Sequence, residues 1–281
     1  MSKKFLIINA DDFGMSMPVS KGILKAAGSD VVRSTSVMTN CESFSASIDE
    51  LASSGINLDV GFHATLTWGR PISDPHKVPS LVNKEGKFHS KASFLTRSFL
   101  GMISKKEVYE ELRVQCKRLK ERVPTISHID GHHHVHTYPL VRSAVERIAR
   151  EFKIPFVRAP REGMWSPLSW SGAKRLAIAM LPSSSPLYWR MRGFRTADHF
   201  GGFGLGESEK FKDRWMKVFE RIPEGVSEIM VHPGYSSSEN DSYKGREKEI
   251  EWLVDEKLVN AARKSGISFT SFDVLSEIRG S

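Results

Sequence analysis

Cysteine is scarce in this chain, whose 281 residues contain only Cys41 and Cys116. The two are isolated and fit no Cys-x-x-Cys pattern, so we expect no disulfide framework and a reducing, cytoplasmic setting. No apolar run is long enough to cross a bilayer. The aliphatic run at residues 5–8 ends at Asn9, which is too short for a signal-peptide core.

Several catalytic and binding signatures are also missing. The chain has no Gly-x-Ser-x-Gly elbow, no P-loop and no Gly-x-Gly-x-x-Gly opening a helix after a strand. The net charge is +8, but basic residues alternate with acids, as in Lys105-Lys106-Glu107, and no RNP-like or helix-turn-helix pattern is present. We interpret the charge as solvated surface and expect no nucleic-acid partner, with peripheral membrane contact as a weaker alternative.

Strand-like and helix-like segments alternate along the chain. Short aliphatic runs predict strands at 4–9, 31–38, 58–63, 126–132, 156–158, 228–232 and 269–273. Apolar spacing predicts helices at 19–27, 44–53, 105–122, 139–152, 176–181, 209–221 and 247–264. Two irregular segments, about 70–104 and 159–195, are interpreted as excursions over a site. The pattern predicts a single α/β domain, residues 1–281, with a mostly parallel sheet or barrel of about seven βα units.

Histidine is concentrated in one stretch. Five of the ten histidines lie in His128-Ile129-Asp130-Gly131-His132-His133-His134-Val135-His136. In an extended strand, alternate residues share a face, which would collect the side chains of residues 128, 130, 132, 134 and 136. Such a row indicates a bound cation or imidazoles oriented for proton transfer, and alternation alone leaves His128, His132 and His134 open as metal ligands. The plain alternative is an exposed His-rich loop.

Polar residues of related chemistry end four of the predicted strands. Asp11-Asp12 follow the first, His63 ends the third, the histidine tract ends the fourth, and His232 ends the strand before Pro233-Gly234. Carboxyl ends of parallel strands meet at one edge, so these groups are expected to lie together. One carboxylate and two imidazoles make a three-ligand metal site, and a second carboxylate and a further histidine supply a base and an acid. The set suits hydrolysis of an amide or ester, although each residue alone has an ordinary structural explanation.

These residues resemble a known family. Asn9-Ala10-Asp11-Asp12-Phe13-Gly14, Gly61-Phe62-His63-Ala64-Thr65-Leu66-Thr67 and the histidine tract, with a weaker match at His232-Pro233-Gly234, are similar to the YdjC-like carbohydrate deacetylases, which include chitooligosaccharide deacetylases. The resemblance implies a distorted, TIM-like (β/α) barrel with fewer than eight regular strands that binds one divalent metal ion, Mg or Zn. It also implies that Asp12, His63 and His132 bind the metal, that Asp11 is the base and that His232 is the acid.

The remaining candidates surround this set. By the same resemblance His128, Asp130, His133, His134 and His136 orient the ligands or face the substrate. Arg158 is a candidate to hold Asp11 ionised, with a surface ion pair as the alternative. Trp68, Trp165 and Tyr235 are candidates to stack on a sugar, with ordinary core or rim packing as the alternative.

The substrate class follows from the same resemblance. Arg158-Ala159-Pro160-Arg161-Glu162 and Thr196-Ala197-Asp198-His199-Phe200 look similar to the branch associated with hopanoid lipid synthesis, in which the sugar is carried on a lipid. We expect removal of an N-acetyl group from a small-molecule or lipid-linked amino sugar, and we leave a homodimer open. A metal-dependent phosphoesterase is disfavoured because Asp11-Asp12 replaces the His-x-His pair usual on its first strand. A non-catalytic sugar- or lipid-binding barrel is disfavoured by the intact acid, base and metal set.

Overall fold

A curled, wholly parallel sheet forms the centre of the molecule. The computed structural model describes residues 4–29, 31–162, 180–202, 211–236 and 243–272. Within these ranges the strands are β1 (Lys4–Phe13), β2 (Ser34–Val37), β3 (Asp59–Ala64), β4 (His128–Gly131), β5 (Phe156–Val157), β6 (His199–Gly201), β7 (Gly225–Val231) and β8 (Ile267–Thr270). Their order is β5-β4-β3-β2-β1-β7-β6, and β8 pairs with the first half of β1.

The two edge strands approach each other, which curls the sheet toward a barrel. Val157 N donates to Arg195 O, and Arg195 N donates to Pro155 O, so the start of β5 meets the segment before β6. A further parallel bridge joins Glu162 to Phe200. Because β5 and β6 are so short, closure depends on these isolated bridges. The predicted α/β architecture, a distorted TIM-like barrel of about seven strands, is confirmed.

The helices among the described residues cover the outside of the sheet. They are α1 (Met17–Ala27), α2 (Phe44–Ser53), α3 (Lys91–Phe99), α4 (Lys105–Lys120), α5 (Pro139–Glu151), α6 (Pro186–Arg190), α7 (Phe211–Arg221), α8 (Arg246–Leu253) and α9 (Glu256–Lys264). Local sequence sets several of their ends: Ser16 caps α1 just before Pro18, and the Ser104 hydroxyl accepts from Glu107 N at the start of α4, as its capping-box pattern predicts. Across the described ranges, no helix combines the length and apolarity needed to cross a membrane.

Two predicted elements differ from the structure, and a third lies mostly outside the described residues. The single helix predicted for 247–264 is wrong, because it is divided into α8 and α9 at Asp255, whose carboxylate accepts from Lys257 N and starts a new helix. The 70–104 excursion contains α3 and is not wholly irregular. Most of the predicted helix at 176–181 lies outside the described residues, as does Trp165.

β1 is longer than predicted, and its alternation shows which face lines the interior. Ile7, Asn9 and Asp11 share one face. Ile7 packs against Phe156 of β5 and Phe272 beyond β8, so this face points inward across the curled sheet. β1 extends to Phe13, so Asp11 and Asp12 lie within the strand, whereas the sequence pattern placed them after it. A register shift between Ala10 and Phe13, with Asp12 at φ 73°, interrupts the regular backbone pairing of β1 with β2.

Candidate metal centre and catalytic groups

Asp12, His63 and His132 come together at the carboxyl ends of β1, β3 and β4. All three side chains are buried, and one potential ligand atom from each lies within 4.8 Å of the others. Asp12 Oδ1 faces both imidazoles, 3.0 Å from His132 Nδ1 and 3.5 Å from His63 Nε2. These are the three residues for which the family resemblance implies metal binding.

The chemistry of this cluster fits a divalent metal ion. A carboxylate and two imidazoles form a donor set that leaves positions for water and substrate. The ring nitrogens that the cluster offers are His132 Nδ1 and His63 Nε2, because these are the imidazole atoms that face Asp12 Oδ1. Arg246 Nη2 donates to Asp12 Oδ2 at 2.8 Å, which leaves Oδ1 as the oxygen directed at the imidazoles.

Charges around the cluster shift the pKa values of two of its members. Burial alone would raise the pKa of Asp12, but the charge and hydrogen bond of His132, the hydrogen bond of His63 and the charge of Arg246 hold it well below its usual range. Burial would lower the pKa of His63, but Asp130 and Asp12 on its two sides raise it to about 10. The electrostatic environment of His63 therefore favours a positive charge between these carboxylates.

The strand predicted at 126–132 is present as β4, but it does not extend through the histidine tract, so the single shared face considered for residues 128–136 is wrong. β4 ends at Gly131, and residues 132–137 form a kinked 3₁₀ segment in which His133 and His134 have φ of 56° and 57°. The side chains after Gly131 therefore do not alternate. His133 turns to the hydroxyl of Thr67, 2.9 Å from its Nδ1, and stacks on His132 with ring centroids 4.0 Å apart.

His128, His134 and His136 lie around the cluster and not in it. His128 is fully buried, with Nδ1 at Ser127 Oγ and Nε2 at Ser36 Oγ, and burial lowers its pKa to about 3. Its ring occupies the space that a side chain on the facing strand would fill: a Cβ on Gly61 would lie 2.2 Å from the imidazole. His134 packs edge-on against Phe200, and His136 Nε2 lies 3.2 Å from Arg158 O. Among the ligands that alternation left open, the geometry favours His132.

Asp130 lies beside the cluster and contacts one of its members, His63. Its Oδ1 is 2.8 Å from His63 Nδ1, while its Oδ2 accepts from Ser36 Oγ and from Arg158 Nη1. Burial would raise the pKa of Asp130, but Arg158 and His63 hold it well below its usual range. An ionised Asp130 therefore fixes which ring nitrogen of His63 faces Asp12.

Arg158 binds Asp11 through two parallel hydrogen bonds of 2.7 Å, each to one carboxylate oxygen. The guanidinium is completely buried and also contacts Asp130 and Glu228, so the surface ion pair considered as an alternative is wrong. Burial raises the pKa of Glu228 to about 7 although Arg158 opposes the shift. Asp11, His63 and Asp130 form a second close group, but the Arg158 guanidinium already balances its two carboxylates.

His232 follows β7 and is held through its backbone. Its N–H donates to Glu249 Oε2, and its carbonyl accepts from Arg246 Nη1 at 3.2 Å. The imidazole lies against the Tyr243 ring, with centroids 4.9 Å apart. Burial lowers the pKa of His232 to about 4, although the charges of Asp12 and Asp11 oppose the shift. The free imidazole is thus neutral at pH 7.

The aromatic candidates are placed differently. Trp68 is half-buried and meets His132 edge-on, with centroids 6.0 Å apart, so it borders the cluster. Tyr235 is exposed, and its backbone N–H donates to Pro18 O near the start of α1.

Three residues at the site were missed by sequence reasoning. Asn9 donates to Asp11 Oδ1, Arg246 contacts both Asp12 and the His232 carbonyl, and Glu249 accepts from the His232 N–H. Asn9 was visible as a polar residue ending an aliphatic run. Arg246 and Glu249 lie in the first turn of α8, within a run of charged residues. The local sequence does not show that these two side chains are buried while their charged neighbours are exposed to solvent.

Comparison with known proteins gives a consistent result. The model of the YdjC-like protein family matches residues 5–264. A carbohydrate deacetylase of Geobacillus stearothermophilus is 32% identical over 274 residues, covering 96% of this chain and 97% of the relative. One of Brevibacillus brevis is 33% identical over 279 residues, covering 96% and 99%. A solved structure from Enterococcus faecalis, provisionally described as a cellobiose-phosphate cleavage protein, superposes with a TM-score of 0.77 at 26% identity, covering 98% of this chain and 99% of that chain.

Proposed function

The chain belongs to the YdjC-like protein family, and from that premise we propose that it is a metal-dependent carbohydrate deacetylase. The reaction is hydrolysis of the N-acetyl group of an amino sugar of the N-acetylglucosamine type. The observation that carries the proposal is the buried cluster of Asp12, His63 and His132, with a second carboxylate, Asp11, and a further imidazole, His232, at neighbouring strand ends.

Asp12, His63 and His132 would hold one divalent ion, Mg or Zn. When bound, such an ion lowers the pKa of a water molecule and polarises a carbonyl group. The protein's own contribution is orientation: Asp130 fixes His63, and Arg246 fixes Asp12. Both partners are charged and buried, so the ligand atoms keep their directions before the ion arrives.

Asp11 is the proposed general base. Its Oδ1 accepts from Arg158 and Asn9, whereas its Oδ2 accepts only from Arg158 among the described residues. A carboxylate oxygen has two lone pairs, so Oδ2 retains an acceptor position for the proton of an attacking water. The two hydrogen bonds from the guanidinium hold the carboxylate in one orientation.

His232 is the proposed general acid that protonates the departing amine. Its imidazole is neutral at pH 7 in the free protein, so the acid role requires it to take up a proton within the catalytic cycle. Asp11 and Asp12 both favour its charged form. Glu249 and Arg246 keep its backbone in place meanwhile.

Trp68 is the aromatic group best placed to contact a sugar face, because it is half-exposed and borders His132. The acyl acceptor is water, and the leaving group is the sugar amine. A free oligosaccharide and a sugar on a lipid carrier present the same acetamido group, so this chemistry alone does not choose between them.

The proposal is tested by acetate release from N-acetylglucosamine oligomers and from an acetylglucosaminyl lipid, with the purified chain loaded with Mg²⁺ or Zn²⁺. We expect release from at least one of them, dependent on metal and lost in Asp11→Asn. A sugar phosphate and an aryl phosphate are the matched controls. Phosphate release without acetate release would favour a phosphoesterase, and binding without either product would favour a non-catalytic barrel; both results overturn the proposal.

A further inference from the structure

The C-terminal end of α3 presents an apolar surface to solvent. Leu95, Phe99, Leu100 and Met102, here called the α3 tip, are exposed, and the Phe99 side chain has 92% of its surface accessible. Single exposed apolar residues are ordinary, but several together mark a contact surface. Phe94 on the other side of the helix is fully buried, so the tip is the outward edge of an anchored helix.

The α3 tip is held in place by its own backbone. Gly101 N donates to Ser98 O, Met102 N donates to Arg97 O, and Gly101 has φ of 70°. This is the glycine-ended helix cap in which the chain reverses tightly after the last turn. The exposed side chains therefore project from a structured turn.

The excursion that carries the tip is fastened to the barrel. The carboxylate of Glu111 in α4 accepts from Ile72 N and Ser73 N, and Glu107 accepts from Ser80 N. Trp68, two residues before this excursion, borders the candidate metal centre. A partner held by the α3 tip would thus contact the segment that follows Trp68 along the chain.

The stretch of chain that contains the tip carries charge of one sign between Glu85 and Glu107. Residues 87–106 contain no aspartate or glutamate and five cationic side chains: Lys87, Lys91, Arg97, Lys105 and Lys106. Of these, Lys105 and Lys106 are exposed directly after the tip, and Lys106 Nζ lies 3.8 Å from Glu110 Oε1 at the surface. An exposed apolar tip with cations close to it along the chain suits a surface that is anionic outside and apolar beneath.

We propose that the α3 tip docks on an anionic lipid surface, with Phe99 and Leu100 entering the headgroup boundary and the neighbouring lysines contacting lipid phosphates. A second copy of this chain would bring the same cations face to face, so charge disfavours self-association through this patch. The docking surface does not depend on the proposed deacetylase chemistry, and its test measures binding alone.

The test is co-sedimentation of the full chain with vesicles of phosphatidylcholine alone and of phosphatidylcholine with phosphatidylglycerol. We expect binding to the anionic vesicles that weakens as salt is added. Phe99→Ser with Leu100→Ser should reduce the partition coefficient by about tenfold or more, since two large apolar side chains no longer leave water. Lys105→Gln with Lys106→Gln should weaken binding to anionic vesicles only.

The chain offers a matched control on α6 and the turn after it. Leu187 and Met191 are 62% and 70% exposed, so Leu187→Ser with Met191→Ser removes similar apolar surface elsewhere. We expect this variant to bind as the unaltered chain does, with thermal melting confirming that all variants fold. Failure to bind anionic vesicles at low salt, or equal loss in both serine variants, would overturn the proposal.

A second readout locates the contact. Cys41 and Cys116 are buried, so an environment-sensitive dye on Leu100→Cys should report that position alone. We expect a blue shift with anionic vesicles and none for the same dye on Met191→Cys. Concentration-dependent dimerisation in sedimentation velocity, lost in Phe99→Ser with Leu100→Ser, would identify the tip as a self-association surface and contradict lipid docking.

Discussion

His63 and Asp130 lie opposite each other in the β3–β4 register, and a 2.8 Å contact joins the imidazole Nδ1 to the carboxylate Oδ1. The sheet itself thus aligns a candidate ligand with the group that orients it. Asp130→Asn should weaken metal affinity by about 10- to 100-fold, because the imidazole loses its charged partner. Competition with a chelator measures this. Glu228→Gln, which removes another carboxylate from Arg158 without touching His63, is the control and should keep its affinity.

The assignment of His132 as a ligand can be separated from its neighbours. His132→Ala should reduce bound metal to background, because one of three donors is lost. His133→Ala, one residue away, removes a ring that contacts Thr67 and should retain one ion per chain. Elemental analysis of dialysed protein measures the bound metal of the two variants. Retention of metal by His132→Ala with loss in His134→Ala would move the ligand to His134.

Asp11→Asn should retain metal and lower kcat by about 10²- to 10⁴-fold, the range for loss of a general base. Asparagine keeps the size of the side chain but brings an amide NH₂ against the Arg158 guanidinium, so the folded fraction must be checked by circular dichroism. Metal content is measured on the same sample. A variant that keeps most of its deacetylase rate would remove Asp11 from the base role.

His232→Ala should lower the rate on an acetamido sugar much more than the rate on an aryl acetate. An amine leaving group needs a proton, whereas a phenolate with a low pKa leaves without one. Steady-state kinetics on the two substrates at one pH give the comparison. An equal loss on both would show that His232 does something other than protonate the leaving group.

Glu228 should make stability depend on pH in a defined direction. Burial raises its folded pKa to about 7 from an ordinary value of 4.5, so the folded state binds more protons between these values. Its contribution to stability is therefore present below about pH 4.5 and declines as pH rises through 7. Glu228→Gln lacks this titration, so its stability relative to the unaltered chain should increase from pH 5 to 8 in urea unfolding. A relative stability that falls over this range would contradict the shift.

Sequence patterns predicted the strands and helices where local signals were strong. α2 has the predicted bounds, and α4 begins at the predicted residue, Lys105. The long C-terminal helix was wrong because amphipathic spacing continues on both sides of Asp255. Asp255 is a local signal for the start of a new helix, but it was overlooked because the apolar spacing continues past it.

The site was predictable only in part, for physical reasons. Parallel strands bring their carboxyl ends to one edge, so Asp12, His63 and His132 could be expected near each other. Alternation failed after Gly131, where the left-handed backbone of His133 and His134 redirects the rings. Such conformations are uncommon for residues other than glycine and are fixed by tertiary contacts. The contacts of Arg246 and Glu249 with the His232 backbone likewise form only when α8 packs against the residues that follow β7.

The imidazole of His128 occupies the space beside Gly61 on the adjacent strand. The two positions are therefore epistatic: a methyl group at 61 is incompatible with histidine at 128, and a small residue at 128 leaves a void that glycine at 61 cannot fill. Redesign of this part of the barrel must change both residues together, because a scan of single substitutions would report each position as intolerant and miss the pairs that fit.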